Sequence, residues 1–190
     1  MKAMKYHDYI WDLGGTLLDN YETSTAAFVE TLALYGFTQD HDSVYQALKV
    51  STDFAIETFA PNLEHFLEKY KENEARELEH PILFDGVSDL LEDISNQGGR
   101  HFLVSHRNDQ VLEILEKTSI AAYFTEVVTS NSGFKRKPDP ESMIYLREKY
   151  QIDSGLVIGD RPIDIEAGQA AGLDTHLFTS IVNLRQVLDM

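Results

Sequence analysis

Apolar residues along this chain follow two different rhythms. Tyr9-Ile10-Trp11 is a short aromatic and β-branched run that continues to Leu13 and is stopped by glycine, which predicts a buried strand over 9–13. No convincing strand follows until about residue 81. Ala27, Phe28, Leu32 and Tyr35 recur at helical spacing, with Gly36 as a stop. Val44, Leu48, Phe54, Ile56 and Phe59 continue in helical style to Pro61, and Leu63, Phe66, Leu67 and Tyr70 form another amphipathic stretch. The charged run 71–79 then reads as a solvated helix face.

Beyond this helical stretch the pattern alternates. Val87, Leu90, Leu91 and Ile94 predict a helix ended by Gly98-Gly99, and a strand is predicted over 101–105. A helix over 109–118 and a strand over 124–129 come next. Asp139 is expected to cap a helix with Pro140 in its first turn and with Met143, Leu146 and Tyr150 facing inward. A buried strand at 156–158, a helix over 163–171 and a final strand over 175–178 complete the series. Strands alternating with helices require a parallel sheet with crossovers. The expected fold is therefore a three-layer α/β core, residues 1–19 and 82–190, interrupted after its first strand by a helical insert, residues 20–81.

Bulk properties narrow the chemistry. A formal net charge of −16 over 190 residues opposes binding to nucleic acid or to an anionic membrane. The absence of cysteine excludes disulfides, thiolate catalysis and zinc–sulfur sites. No signal-peptide core or membrane-length apolar run is visible, so a cytoplasmic location is expected; oligomeric state is not legible.

Four polar signals fall where predicted strands end, the edge at which open α/β sheets bind ligands. They are Asp12 with Gly14-Gly15-Thr16, Ser105, Lys137 in a basic loop, and Asp160 with Asp164 one helical turn later. An aspartate leaving a buried strand into two glycines and a hydroxyl suits phosphate chemistry, because glycine lets backbone N–H groups approach an anion. Such an aspartate can serve as nucleophile, metal ligand or both.

Taken together, these motifs resemble the haloacid dehalogenase superfamily, whose members are mostly magnesium-dependent phosphatases and phosphomutases. Residues 12–19 resemble its first motif, Val104-Ser105 its second, Lys137-Pro138-Asp139-Pro140 its third, and Gly159-Asp160 through Asp164 its fourth. Residues 164–172 are similar to the phosphoglycolate phosphatase and β-phosphoglucomutase branch, which carries a helical cap after the first motif. The resemblance implies a Rossmann-like core and a small phosphorylated metabolite as substrate. It also implies Asp12 as nucleophile and Mg²⁺ held by Asp12, the Gly14 carbonyl and Asp160, with Asp164 acting from farther out or through a metal-bound water. Ser105 and Lys137 are implied to handle the phosphoryl group, with Gly15, Thr16 and His106 as further phosphate-binding candidates.

One position departs from that family. Its phosphatases carry a second aspartate two residues after the nucleophile, as general acid and base, where this chain has Gly14. Three consequences are open: a good leaving group such as an acyl or aryl phosphate, a substitute donor (His106, His41 or His65), or a phosphate-binding protein with little turnover.

Overall fold

The computed structural model describes residues 3–190, which form two compact units: residues 3–18 with 83–190, and residues 19–82. Among the described residues no helix is long and apolar enough to cross a membrane.

The first unit is a five-stranded, wholly parallel sheet of β1 (Asp8–Trp11), β2 (Arg100–Val104), β3 (Phe124–Val128), β4 (Gly155–Gly159) and β5 (Asp174–Leu177), in the order β3-β2-β1-β4-β5. The second unit is helical, with α1 (Asn20–Leu34), α2 (His41–Val50), α3 (Thr52–Phe59) and α4 (Phe66–Glu77). The remaining helices belong to the sheet unit: α5 (Val87–Asn96), α6 (Gln110–Lys117), α7 (Glu141–Lys149), α8 (Pro162–Ala170) and α9 (Ile181–Leu188). The α/β class inferred from the alternation is therefore the observed one.

Alternation of side chains along each strand builds two cores. Tyr9, Trp11, Leu103 and Ile158 meet Leu90, Leu91, Ile114, Ile181 and Leu184 from α5, α6 and α9. Ile10, Phe102, Val104 and Val157 meet Met143, Leu146 and Ala167 from α7 and α8. Both faces of the sheet are thus covered, as an all-parallel sheet requires.

The central strand is fixed by polar contacts as well as by packing. Buried Asp8 takes a two-pronged contact from Arg100, at 2.6 and 3.1 Å. The Trp11 indole N–H donates to His101 Nδ1 at 2.9 Å, so the proton of the neutral imidazole is on Nε2, which donates to the Leu91 carbonyl at 3.0 Å. This brace links β1, β2 and α5 directly beneath Asp12.

In the helical unit Phe28 packs edge-on to Phe66 and Tyr70, with ring centroids 4.9 and 5.3 Å away. Asp19, Asp40 and Ser51 cap α1, α2 and α3 by accepting Glu22, Ser43 and Phe54 N–H groups. Ser51 lies in extended backbone and caps α3, which is why the helical pattern from Val44 to Phe59 resolves into two helices.

Three expectations are corrected, and one helix lies beyond the elements predicted. The helix read from Leu63 starts only at Phe66, because His65 sits at φ 59°. The charged run is not wholly a solvated face. Buried Asn73 donates to Thr31 at 2.9 Å, and Glu74 accepts from Ser24, Tyr70 and Lys71. Pro140 stands at the N-cap position of α7 rather than in its first turn, while the Asp139 carboxylate accepts the Glu141 N–H at 3.0 Å. Helix α9 was not foreseen, although Ser180 caps it and Ile181, Leu184 and Leu188 supply its buried face.

Burial depresses the His101 pKa to about 4. The folded state then resists a proton that the unfolded chain accepts near 6.5, so stability is full above pH 6.5 and falls as pH drops from there toward 4. This one residue accounts for roughly 3 kcal/mol of acid destabilisation across that window. Urea unfolding of wild type and His101→Gln at pH 7 and pH 4.5 measures it. The wild type should lose more stability than the variant over that interval, and equal losses would contradict the assignment.

Candidate active site

The sheet order places a topological switch at its centre. From β1 the chain builds outward through β2 and β3, then returns to the other side of β1 for β4 and β5. The carboxyl ends of β1 and β4 flank the crevice where such sheets bind ligands. Asp12 follows β1, with its N–H donating to the Ile158 carbonyl at 2.9 Å, and Asp160 follows Gly159 at the end of β4.

Lys137 lies in the loop between β3 and α7, yet its side chain is almost fully buried. Its ammonium donates to Asp12 Oδ1 at 2.9 Å, to Asp164 Oδ1 at 2.6 Å and to the Val104 carbonyl at 3.0 Å. All three ammonium protons therefore have acceptors. Asp164 Oδ2 also accepts the Arg161 N–H at 3.2 Å, so both of its oxygens are engaged. That makes Asp164 chiefly the anchor of Lys137 and the least available of the carboxylates for direct ligation.

Oxygens of Asp12, Asp160 and Asp164 lie within 4.8 Å of one another. One ammonium cannot balance three carboxylates. Burial, then the neighbouring Asp12 charge, pushes the Asp160 carboxyl up to about 7, and the same two causes raise Asp164. A buried, oxygen-only donor set with a deficit of positive charge fits a hard divalent cation such as Mg²⁺.

Two glycines make this crowding possible. A Cβ on Gly15, itself at φ 79°, would overlap the Asp160 carboxylate, and a Cβ on Gly159 would overlap that of Asp164. The structure thus corrects the expected role of the loop glycine: Gly15 makes room for Asp160. Its N–H is bonded to the Leu18 carbonyl at 2.9 Å. The Thr16 N–H goes to Leu13, and its buried hydroxyl points to Asp160 Oδ1 at 3.4 Å. Closing the tight 13–18 turn takes up donors that were expected to face phosphate.

Ser105 follows β2 and is buried, with its N–H on the Val128 carbonyl and its Oγ accepting the Arg107 N–H at 3.2 Å. The neighbouring His106 accepts the Lys137 backbone N–H through Nε2 at 2.9 Å. Burial first, then the charges of Lys137, Arg136 and Arg161, lower its pKa to about 4. A neutral imidazole whose acceptor nitrogen holds the Lys137 loop is a positioning group and a poor acid. His41 and His65, the other substitute donors considered, are paired inside the helical unit with Glu22 and Asp42, and with Glu68.

Asp12, Lys137, Asp160 and Asp164 therefore converge, Ser105 and His106 directly follow β2, the strand neighbouring β1, and Gly14 contributes no side chain. A parallel α/β sheet with a lysine-bridged acidic crevice at its switch point defines a class that the comparisons identify. The chain matches the haloacid dehalogenase-like hydrolase family over residues 9–178 and belongs to it. A solved structure of a hydrolase from Streptococcus pneumoniae TIGR4 is 95% identical, with a TM-score of 0.96, covering 98% of this chain and 100% of that one. A phosphoglycolate phosphatase of Vibrio parahaemolyticus is 29% identical, covering 85% of this chain and 78% of its own length. Pyrophosphatase PpaX of Oceanobacillus iheyensis is 26% identical, covering 90% and 83%.

Replacing Gly15 by alanine should cost about 1–3 kcal/mol, from the positive φ and the displaced carboxylate. It should also weaken Mg²⁺ binding. Thermal unfolding with and without Mg²⁺, together with calorimetric titration, checks both, and a variant with unchanged Mg²⁺ affinity would contradict the placement of Asp160.

Proposed function

We propose that this chain is a Mg²⁺-dependent phosphohydrolase acting on a small phosphorylated metabolite, with Asp12 as the nucleophile. The observation that carries the proposal is the buried Lys137 ammonium at 2.9 Å from Asp12 Oδ1, beside two further carboxylates. A lysine so placed neutralises charge shared between the attacking oxygen and the transferred group. An Asp12 carboxylate oxygen attacks phosphorus and forms an aspartyl-phosphate, dividing one displacement into two.

Asp12, Asp160 and the Gly14 carbonyl would hold the Mg²⁺, with Asp164 supporting from behind through Lys137. When bound, the metal supplies positive charge against the phosphoryl oxygens. Ser105 is assigned a hydrogen bond to a phosphoryl oxygen, and His106 holds the Lys137 loop in register. The helical insert is assigned the part of a specificity-setting cap. Names of the matched relatives, a phosphoglycolate phosphatase and a pyrophosphatase, support phosphoryl transfer as the reaction type.

A second reading, a phosphate-binding or regulatory protein, is favoured by one observation: position 14 is glycine. Loss of a general acid costs about 10²–10⁴ in rate for poor leaving groups. p-Nitrophenyl phosphate separates the readings because its leaving group needs almost no protonation. Mg²⁺-dependent release that disappears in Asp12→Asn is the expected result, whereas no release from wild type that still binds Mg²⁺ would favour the binding protein. Gly14→Asp should accelerate alkyl phosphate hydrolysis by about 10-fold or more. No gain would place the proton donor elsewhere.

A further inference from the structure

The sheet unit carries six arginines, and they divide sharply. Arg100 pairs with Asp8, Arg147 donates to the Ala171 carbonyl and Arg185 pairs with Asp93. Arg107, Arg136 and Arg161 have no ion pair and no side-chain hydrogen bond among the described residues, in a chain with 32 acidic groups to 16 basic ones. All three stand in loops at the carboxyl ends of strands. Arg107 is two residues past Ser105, Arg136 adjoins Lys137, and Arg161 adjoins Asp160.

Their backbones are held in place. The Arg107 N–H bonds the Ser105 hydroxyl, and its carbonyl accepts the Ser130 N–H at 2.8 Å. The Arg136 carbonyl accepts the Asp139 N–H at 3.0 Å, and the Arg161 N–H bonds Asp164. The charges of Arg136 and Arg161 are felt at His106, next to Ser105. Unpaired guanidinium groups on residues beside Ser105, Lys137 and Asp160 are chemically suited to a second anion, since the guanidinium fork matches carboxylate and phosphate oxygens.

Gly14 tells which anion. Without a carboxyl group at that position, the departing oxygen receives no proton from it and must leave carrying its negative charge. Positive charge can then do what a proton does elsewhere. We propose that Arg107, Arg136 and Arg161 form a leaving-group site and that the substrate is a phosphoric anhydride or acyl phosphate rather than an alkyl ester. The inference rests on the phosphohydrolase reading above. Asp12 bonds to phosphorus as the phosphorus–oxygen bond to the leaving group breaks, and that oxygen keeps the electron pair and departs as phosphate or carboxylate. Water then bonds to phosphorus as the Asp12–phosphorus bond breaks and the aspartate regains its electron pair; both water protons leave with the inorganic phosphate as dihydrogen phosphate, which gives one up to solvent at neutral pH.

The test compares kcat/KM, with Mg²⁺, for pyrophosphate, acetyl phosphate, 2-hydroxyethyl phosphate, 2-phosphoglycolate and p-nitrophenyl phosphate. Wild type should favour pyrophosphate or acetyl phosphate over both alkyl esters by about 100-fold or more. In Arg107→Gln, Arg136→Gln and Arg161→Gln the ratio of pyrophosphate to p-nitrophenyl phosphate turnover should fall about 10-fold in at least two of the three. Preference for 2-phosphoglycolate would make the arginines readers of a spectator carboxylate and overturn the inference. So would unchanged ratios in all three variants while p-nitrophenyl phosphate is still hydrolysed. Failure of wild type to hydrolyse p-nitrophenyl phosphate would overturn the phosphohydrolase reading, and this inference with it.

Discussion

A single ammonium group, Lys137 Nζ, holds the candidate active site together. It is buried, it donates to Asp12, Asp164 and the Val104 carbonyl, and it comes from the connection between β3 and α7. A buried lysine is tolerable only when charge and hydrogen bonds compensate it, and removing either carboxylate would leave an unbalanced charge in a dry setting. The geometry of the other parts follows from this demand. Asp164 must lie against the end of β4, so Gly159 can have no side chain. Asp160 must lie against the 13–18 turn, so Gly15 can have none either. His106 must accept the Lys137 N–H, and it is kept neutral to do so.

Such a cluster stores electrostatic tension. Burial first, then the charge of Asp12, raises the Asp160 and Asp164 carboxyls above their ordinary range. The excess of carboxylates over ammonium is the physical argument for a divalent cation, made from the donor set itself. The brace beneath it, Trp11 to His101 to Leu91, belongs to the same design: it locks the strand whose last side chains precede Asp12.

Much of this was legible in the letters because it rests on local rules. Alternation of strands and helices implied the parallel sheet, and strand-ending polar residues marked Asp12, Ser105, Lys137 and Asp160. The three-dimensional reasons for individual residues were less accessible. A glycine next to an aspartate suggests an anion loop, and only the fold shows that Gly15 clears space for a carboxylate nearly 150 residues later in the chain. The Trp11–His101 bond spans 90 residues and leaves no periodic trace. Buried Asn73 and Glu74 hid inside a charged run because partners such as Thr31 and Ser24 lie on another helix. Helix α9 was different. Its Ser180 cap and the spacing of Ile181, Leu184 and Leu188 are local signals that the sequence itself carries. The unpaired state of Arg107, Arg136 and Arg161 could be recognised only after every other arginine in the unit had found its partner.

Transient phosphorylation of Asp12 is the central step of the proposed reaction. Rapid acid quench of the Mg²⁺-loaded enzyme with radiolabelled substrate, followed by peptide mapping, tests this directly. Hydroxylamine-labile label on the peptide containing Asp12, absent from Asp12→Asn, is the predicted result. Label on another residue, or an Asp12→Asn protein that is still labelled, would contradict it.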